Sequence, residues 1–157
     1  MDPILLAKFP LFQNLEPSDI ELLAERFERQ AYPADTVIFA QSDPADKLYI
    51  LLEGCVAIRF KPEDGEILTV TEIGSNGVFG WSAALGRHAY TSCAVCVQDS
   101  VALHIEGDVL RELCETHPRT GVIILERLAE VIAERLRNTH AQVIEMLRQG
   151  LHPVGER

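Results

Sequence analysis

The apolar positions of this chain change their period twice along its length. Near the start, Ile20, Leu23, Ala24 and Phe27 recur at i, i+3, i+4 and i+7 behind Glu16-Pro17-Ser18-Asp19. Proline at the first helical position with acid in the first turn opens a helix, so an amphipathic helix ending near Phe27 is predicted. The apolar stretch 3–15 ahead of it is interrupted by Pro10 and reads as a short helix followed by a turn. From Arg29 to Glu106 the period becomes two. Short strands are predicted over 37–40, 48–52, 56–60, 67–73, 90–97 and 101–105, separated by turn-forming runs such as Ser42-Asp-Pro-Ala-Asp46 and Gly74-Ser-Asn-Gly77. Asp64-Gly65 is the firmest hairpin signal, because a tight hairpin needs positive φ at its centre. In 56–61, Val56, Ile58 and Phe60 face one way and Ala57, Arg59 and Lys61 the other.

After Glu106 the helical period returns. A helix over 107–115 carries Val109, Leu110 and Leu113 and ends at His117-Pro118. A last helix is predicted over about 120–149, with one apolar stripe through Leu125, Leu128, Ile132, Leu136, Thr139, Val143 and Leu147. At about 42 Å such a helix outruns a small barrel, so part of the stripe is expected to meet a second copy of the chain. The predicted class is mainly β with flanking helices: a double-stranded β-helix (jelly-roll) barrel with N-terminal helices over 1–118, a long C-terminal dimerisation helix over 119–150, and a tail over 151–157.

The most informative stretch lies inside the strand region. Glycines at Gly77 and Gly80 lead into Trp81 to Leu85, read as a single helical turn, and the chain returns to a strand from Tyr90. A helical turn that opens at a glycine presents unpaired N–H groups and can hold an anion; the alternative is an ordinary barrel corner.

Composition narrows the function classes. With 157 residues, 47% of them hydrophobic, the chain can bury a core of its own. A net charge of −10 argues against a nucleic-acid surface, which needs clustered Lys and Arg. No run reaches the roughly 18 to 20 apolar residues of a membrane helix, and no secretory leader is recognisable, so a cytoplasmic protein without membrane partner is expected. The four cysteines, Cys55, Cys93, Cys96 and Cys114, are read as free thiols. Cys93 and Cys96 have the spacing of a redox or metal pair, but residues i and i+3 of a strand face opposite ways. A cupin-type metal site would need clustered histidines, and only His88 and His104 lie in the strand region. No nucleophile, base and orienting group can be assembled, so the chain is not read as an enzyme and no metal is assigned.

Pro10-Leu-Phe-Gln-Asn-Leu15, Asp46-Lys-Leu-Tyr-Ile-Leu-Leu-Glu-Gly54, Asp64-Gly65 and Gly77-Val-Phe-Gly80, with the flanking helices, resemble the cyclic nucleotide-binding domain, the sensor module of the catabolite activator protein and of protein kinase A regulatory subunits. The resemblance covers about residues 8–148. It implies a phosphate-binding cassette in which Phe-Gly is followed by a Glu for the ribose 2′-hydroxyl and, about nine residues later, by an Arg for the cyclic phosphate. The matching positions here are Trp81 and Tyr90, so both determinants are missing. What remains for a ligand is the backbone of Gly80, Trp81, Ser82, Ala83 and Ala84, the hydroxyls of Ser82, Tyr90, Thr91 and Ser92, and the cation of Arg87 if its loop swings inward. Trp81 is placed to stack on a base or to plug the pocket. The resemblance also implies that the long helix turns a threonine toward the ligand, which points to Thr139.

Two readings follow. One is a sensor that binds cyclic AMP or cyclic GMP weakly, or another small anion, and signals through its C-terminal helix to an effector protein, without the helix-turn-helix domain of the activator family. The other is a degenerate domain acting as a dimeric adaptor. An open, polar-lined cavity beside residues 80–92 is expected of the sensor, and a cavity filled by Trp81, Tyr90 or Leu85 of the adaptor.

Overall fold

The computed structural model describes residues 1–151; the tail expected over 151–157 lies outside the described residues from 152 on, as does the side chain of Val143. Two short N-terminal helices, α1 (Pro3–Leu6) and α2 (Pro17–Ala24), flank a 3-10 turn at Pro10–Phe12. Eight strands follow: β1 (Glu28–Tyr32), β2 (Val37–Phe39), β3 (Lys47–Glu53), β4 (Val56–Phe60), β5 (Leu68–Ile73), β6 (Val78–Phe79), β7 (Cys93–Cys96) and β8 (Ser100–Glu106). The chain then runs through α3 (Gly107–Thr116) into α4 (Pro118–Leu151).

The strands form two antiparallel four-stranded sheets, ordered β1-β8-β3-β6 and β2-β7-β4-β5. Between them lies a core of Phe39, Tyr49, Leu51, Val56, Ile73, Phe79, Tyr90, Ala94, Cys96 and Ala102. A second core lies between the β1-β8-β3-β6 sheet and the helices. It takes Leu48 and Ile50 from β3, Leu103 and Ile105 from β8, and Leu6, Phe12, Leu23, Leu110, Ile124 and Leu128 from the helical layer. β3 therefore reads Leu-Tyr-Ile-Leu without alternation because both its faces are covered.

Two strands escaped the periodicity. β1, Glu-Arg-Gln-Ala-Tyr, is exposed along its first four residues and exists through its ladder to β8, from Glu28↔His104 to Tyr32↔Ser100. A strand whose side chains stay in water carries no hydrophobic alternation to read. β6 spans two residues and is held by β3. Conversely, residues 90–92 precede β7 rather than extend it: the Tyr90 N–H donates to the Asp43 carbonyl and the Ser42 N–H to the Tyr90 carbonyl, tying this stretch to the loop before β3.

The long helix is 34 residues, about 51 Å. Its stripe is not continuous in use. Leu128 is 1% exposed and sits in the helical core, whereas Leu125 is 45%, Leu136 64% and Leu147 57% exposed. α4 thus packs on the helical core as far as Val131 and Ile132 and stays partly covered at Arg135 and Thr139, while Leu136, Ile144 and Leu147 leave apolar side chains in solvent. Replacing Leu128 by alanine is expected to cost about 2–5 kcal/mol in urea unfolding, and Leu136→Ala about 0.5 kcal/mol or less in dilute protein.

Candidate functional site

A cavity of about 370 Å³ opens between the β2-β7-β4-β5 sheet, the turn after β6 and the middle of α4. The sheet contributes Phe39, Ile58, Phe60, Val70 and Thr71; the turn and the stretch before β7 contribute Phe79 to Ser82 and Tyr90 to Ser92; α4 contributes Arg135, Leu136 and Thr139.

The turn is positioned by close backbone approach. Gly80 has φ +74°, and a Cβ there would lie 3.0 Å from both the Lys47 carbonyl oxygen and Tyr49 Cδ1. Only glycine takes that backbone without strain. Residues 81–86 form successive turns in which the Leu85 N–H donates to the Trp81 carbonyl and the Arg87 N–H to the Ser82 carbonyl. On the far side, α3 abuts the turn so tightly that a Cβ on Gly107 would be 2.4 Å from the Ala83 carbonyl oxygen. Arg111 donates to that same carbonyl and pairs with Asp108.

Of the residues singled out from the sequence, Gly80, Trp81, Ser82, Tyr90, Thr91, Ser92 and Thr139 line the cavity. Ala83 and Ala84 do not. Both are buried, Ala84 in the helical core, and the Ala83 N–H donates back to the Gly80 carbonyl, so the turn closes on itself. Arg87 is an exposed loop cation away from the lining. Tyr90 lines the cavity as a wall, but its hydroxyl is engaged elsewhere: it donates to the Lys47 carbonyl (2.6 Å) and accepts from the Lys47 N–H (3.0 Å). Its ring stacks on Phe39 with centroids 3.7 Å apart. Burial pushes its hydroxyl pKa up to about 12. The lining is also more apolar than expected, since the inward positions of β4 and β5 bring Ile58, Phe60 and Val70 into it.

The residue that sequence reasoning missed is Arg135. Its guanidinium carbon lies 4.7 Å from the centroid of Trp81, within cation–π range. Burial alone pulls its pKa down to about 10, so it carries its charge at neutral pH. None of the ion pairs among the described residues includes it. One helical turn after Arg135 comes Thr139, so the i, i+4 rule applied to Thr139 was the signal that could have found it.

All four cysteines are free. Cys96 is buried in the barrel core and Cys93 only partly, on the other face of β7. Burial raises the pKa of both thiols, which works against reactivity. Among the described residues no group of three or more His, Cys, Asp or Glu could hold a metal ion, and no helix is long and apolar enough to cross a membrane.

Two stacked antiparallel sheets whose cavity is walled by a glycine-led turn and a long helix define a β-roll sensor domain. The cyclic nucleotide-binding domain profile matches residues 29–117. The chain is 31% identical over 147 residues to a CRP-like cAMP-activated global transcriptional regulator of Mycobacterium tuberculosis, with 94% of the chain aligned. It spans 63% of that regulator's length. The catabolite activator protein of Thermus thermophilus superposes with a TM-score of 0.72 at 27% identity, over 87% of this chain and 62% of that one. A cyclic nucleotide-binding domain of Methylobacillus flagellatus superposes at 0.81 with 20% identity, over 91% and 80%. The chain belongs to the cyclic nucleotide-binding domain family.

Tyr90 makes the wall of this site testable through pH. Its folded hydroxyl keeps its proton to about pH 12, against an ordinary value of 10. The stability that depends on it is therefore whole below about pH 10 and is lost as pH rises toward 12. Tyr90→Phe is expected to lower stability by about 1–2 kcal/mol at neutral pH and to flatten the alkaline limb of a urea-unfolding pH profile relative to wild type.

Proposed function

We propose that this domain senses a small anionic ligand in the cavity between Trp81 and Arg135, and that occupancy is passed to a partner protein through α4. The single observation that carries this reading is the half-buried guanidinium of Arg135, resting over Trp81 at the cavity wall with no carboxylate paired to it among the described residues. Keeping a desolvated cation beside an open cavity costs stability unless something compensates it. An anion arriving there recovers that cost.

The state of the cavity supports a sensor over a degenerate adaptor. Leu85 projects into solvent at 49% exposure instead of filling the space, Tyr90 is held back in the wall by Lys47, and Trp81 packs at the rim under Arg135. Cyclic AMP and cyclic GMP are expected to bind weakly, because Trp81 and Tyr90 stand where the family resemblance implies Glu and Arg. The role of the domain is regulatory rather than catalytic. Because Arg135, Leu136 and Thr139 line the cavity from α4, a ligand that binds one setting of this helix better than another shifts the population of that setting.

The exposed apolar side chains Leu136, Ile144 and Leu147 on the same helix support a homodimer built along α4. Changing both Leu136 and Leu147 to glutamate is expected to yield monomers in sedimentation. A dimer that persists would place the contact elsewhere.

The ligand reading is tested by thermal unfolding against cyclic AMP, cyclic GMP, cyclic dinucleotides and a panel of small organic anions. A ligand present at about 100 times its Kd adds about 2.7 kcal/mol, which moves the midpoint by several degrees. A rise with at least one anion, and little with cyclic AMP, is the expected result. Silence across the whole panel favours the adaptor.

A further inference from the structure

The cavity also carries information about the kind of anion it takes. This inference rests on the reading of the cavity as the ligand site. Most of its surface is apolar: Phe39, Phe60 and Phe79 with Ile58, Val70 and Leu136. A sugar placed against such a surface leaves hydroxyls without partners, each at a desolvation cost that a hydrophobic wall does not return. Among the described residues no Asp or Glu lines the cavity to accept a sugar hydroxyl, and the indole of Trp81 forms part of its wall. Hydroxyl groups are present at Thr71, Ser82, Thr91, Ser92 and Thr139, but as neutral donors they orient a ligand rather than neutralise one.

Charge sets the second limit. Among the described residues Arg135 is the sole cation in the lining, and no Asp or Glu lines the cavity. Its helical neighbours at three and four residues, Val131, Ile132, Asn138 and Thr139, carry no charge either. One guanidinium compensates one negative charge, so a phosphate monoester would keep a second charge uncompensated against aromatic walls. Contact with the face of Trp81 consumes none of the guanidinium N–H donors. A planar, singly charged carboxylate matches those donors bidentately.

We infer that the cavity binds a monocarboxylate carried on a compact apolar or aromatic body, with its carboxylate paired to Arg135 and its body against the phenylalanines of the β2-β7-β4-β5 side and β6. The volume of about 370 Å³ suits a ligand of this kind. Specificity then comes from the pairing of one half-buried cation with apolar walls: a phosphate monoester is disfavoured by its second charge, and a cyclic nucleotide, whose phosphodiester carries one charge, by the hydroxyl and polar base edges it would set against those walls.

Trp81 is the only tryptophan of the chain, so its emission reports occupancy of this site without a label. The experiment titrates the full chain with 4-phenylbutyrate, with its uncharged counterpart 4-phenylbutan-1-ol, and with cyclic AMP, following Trp81 fluorescence and the thermal midpoint together. The acid is expected to give a saturable change, and the alcohol to bind at least about tenfold more weakly, the range of a charge-assisted hydrogen bond. In Arg135→Met the acid should fall to the affinity of the alcohol, while Arg135→Lys should retain most of the difference; circular dichroism confirms that both variants are folded. Equal binding of acid and alcohol to the wild type, or an acid affinity unchanged in Arg135→Met, overturns the inference. Saturation by cyclic AMP without saturation by the acid also overturns it and leaves the cavity standing as the sensor site. No saturable response to any of the three overturns the ligand class, and the wider anion panel above then decides separately whether the cavity is a ligand site.

Discussion

The structure depends on the way Tyr90 is locked between two stretches far apart in sequence. Its hydroxyl exchanges two hydrogen bonds with the backbone of Lys47, and its ring stacks on Phe39, which itself contacts Tyr49 and Phe79. A buried phenol with both hydrogen-bonding roles satisfied is inexpensive to keep and hard to move. With that aromatic stack in place, Gly80 can pass between the Lys47 carbonyl and the ring of Tyr49, and the turn after β6 has one place to go. The sheet, the turn and the stretch before β7 therefore form a single continuous wall.

From that wall the constraint runs outward by contact. The Ala83 carbonyl receives Arg111 and lies against Gly107, so the turn and the start of α3 cannot move independently. α3 ends at Thr116 and α4 begins at Pro118, and both pack on the helical core through Leu110, Leu113, Ile124 and Leu128. The cavity is thus tied to α4 twice: through α3 at its start and through Arg135 over Trp81 at its middle. A side chain at the cavity and a helix leading away from it share the same few contacts. Those contacts are the physical basis of the proposed link between occupancy and helix position.

The electrostatics of the site differ in sign from those of the whole. The chain carries a net charge of −10, yet its cavity presents one desolvated cation and apolar walls. Surface acids are spread in water and screened within about 10 Å, whereas Arg135 acts at contact distance in a partly water-excluded space. Net charge accordingly bears on partner class, and the local cation on the proposed ligand.

The sequence by itself determined the order and type of the strongly periodic elements. α2, α4, β4 and β8 are legible because their apolar residues repeat at the period of the backbone that carries them, β3 because its apolar run is bounded by turn-forming residues, and Gly80 because glycine favours a backbone that closely approaches its neighbours. Through the resemblance it also raised the turn beginning at Gly80 as one wall of a ligand site, with an ordinary barrel corner as the alternative. What only the tertiary structure decided is which groups meet there. β1 escaped notice because its side chains remain in water and its ladder to β8 supplies the order. Ala83, Ala84 and Arg87 lie next to the site in sequence but outside it in space, since the turn buries the first two and leaves the third in solvent. Arg135 stands far along the chain from Trp81 and touches it only because α4 crosses the mouth of the barrel. Local period is written in neighbouring residues, while a cavity is an agreement among distant ones, and that agreement exists only after the chain has folded.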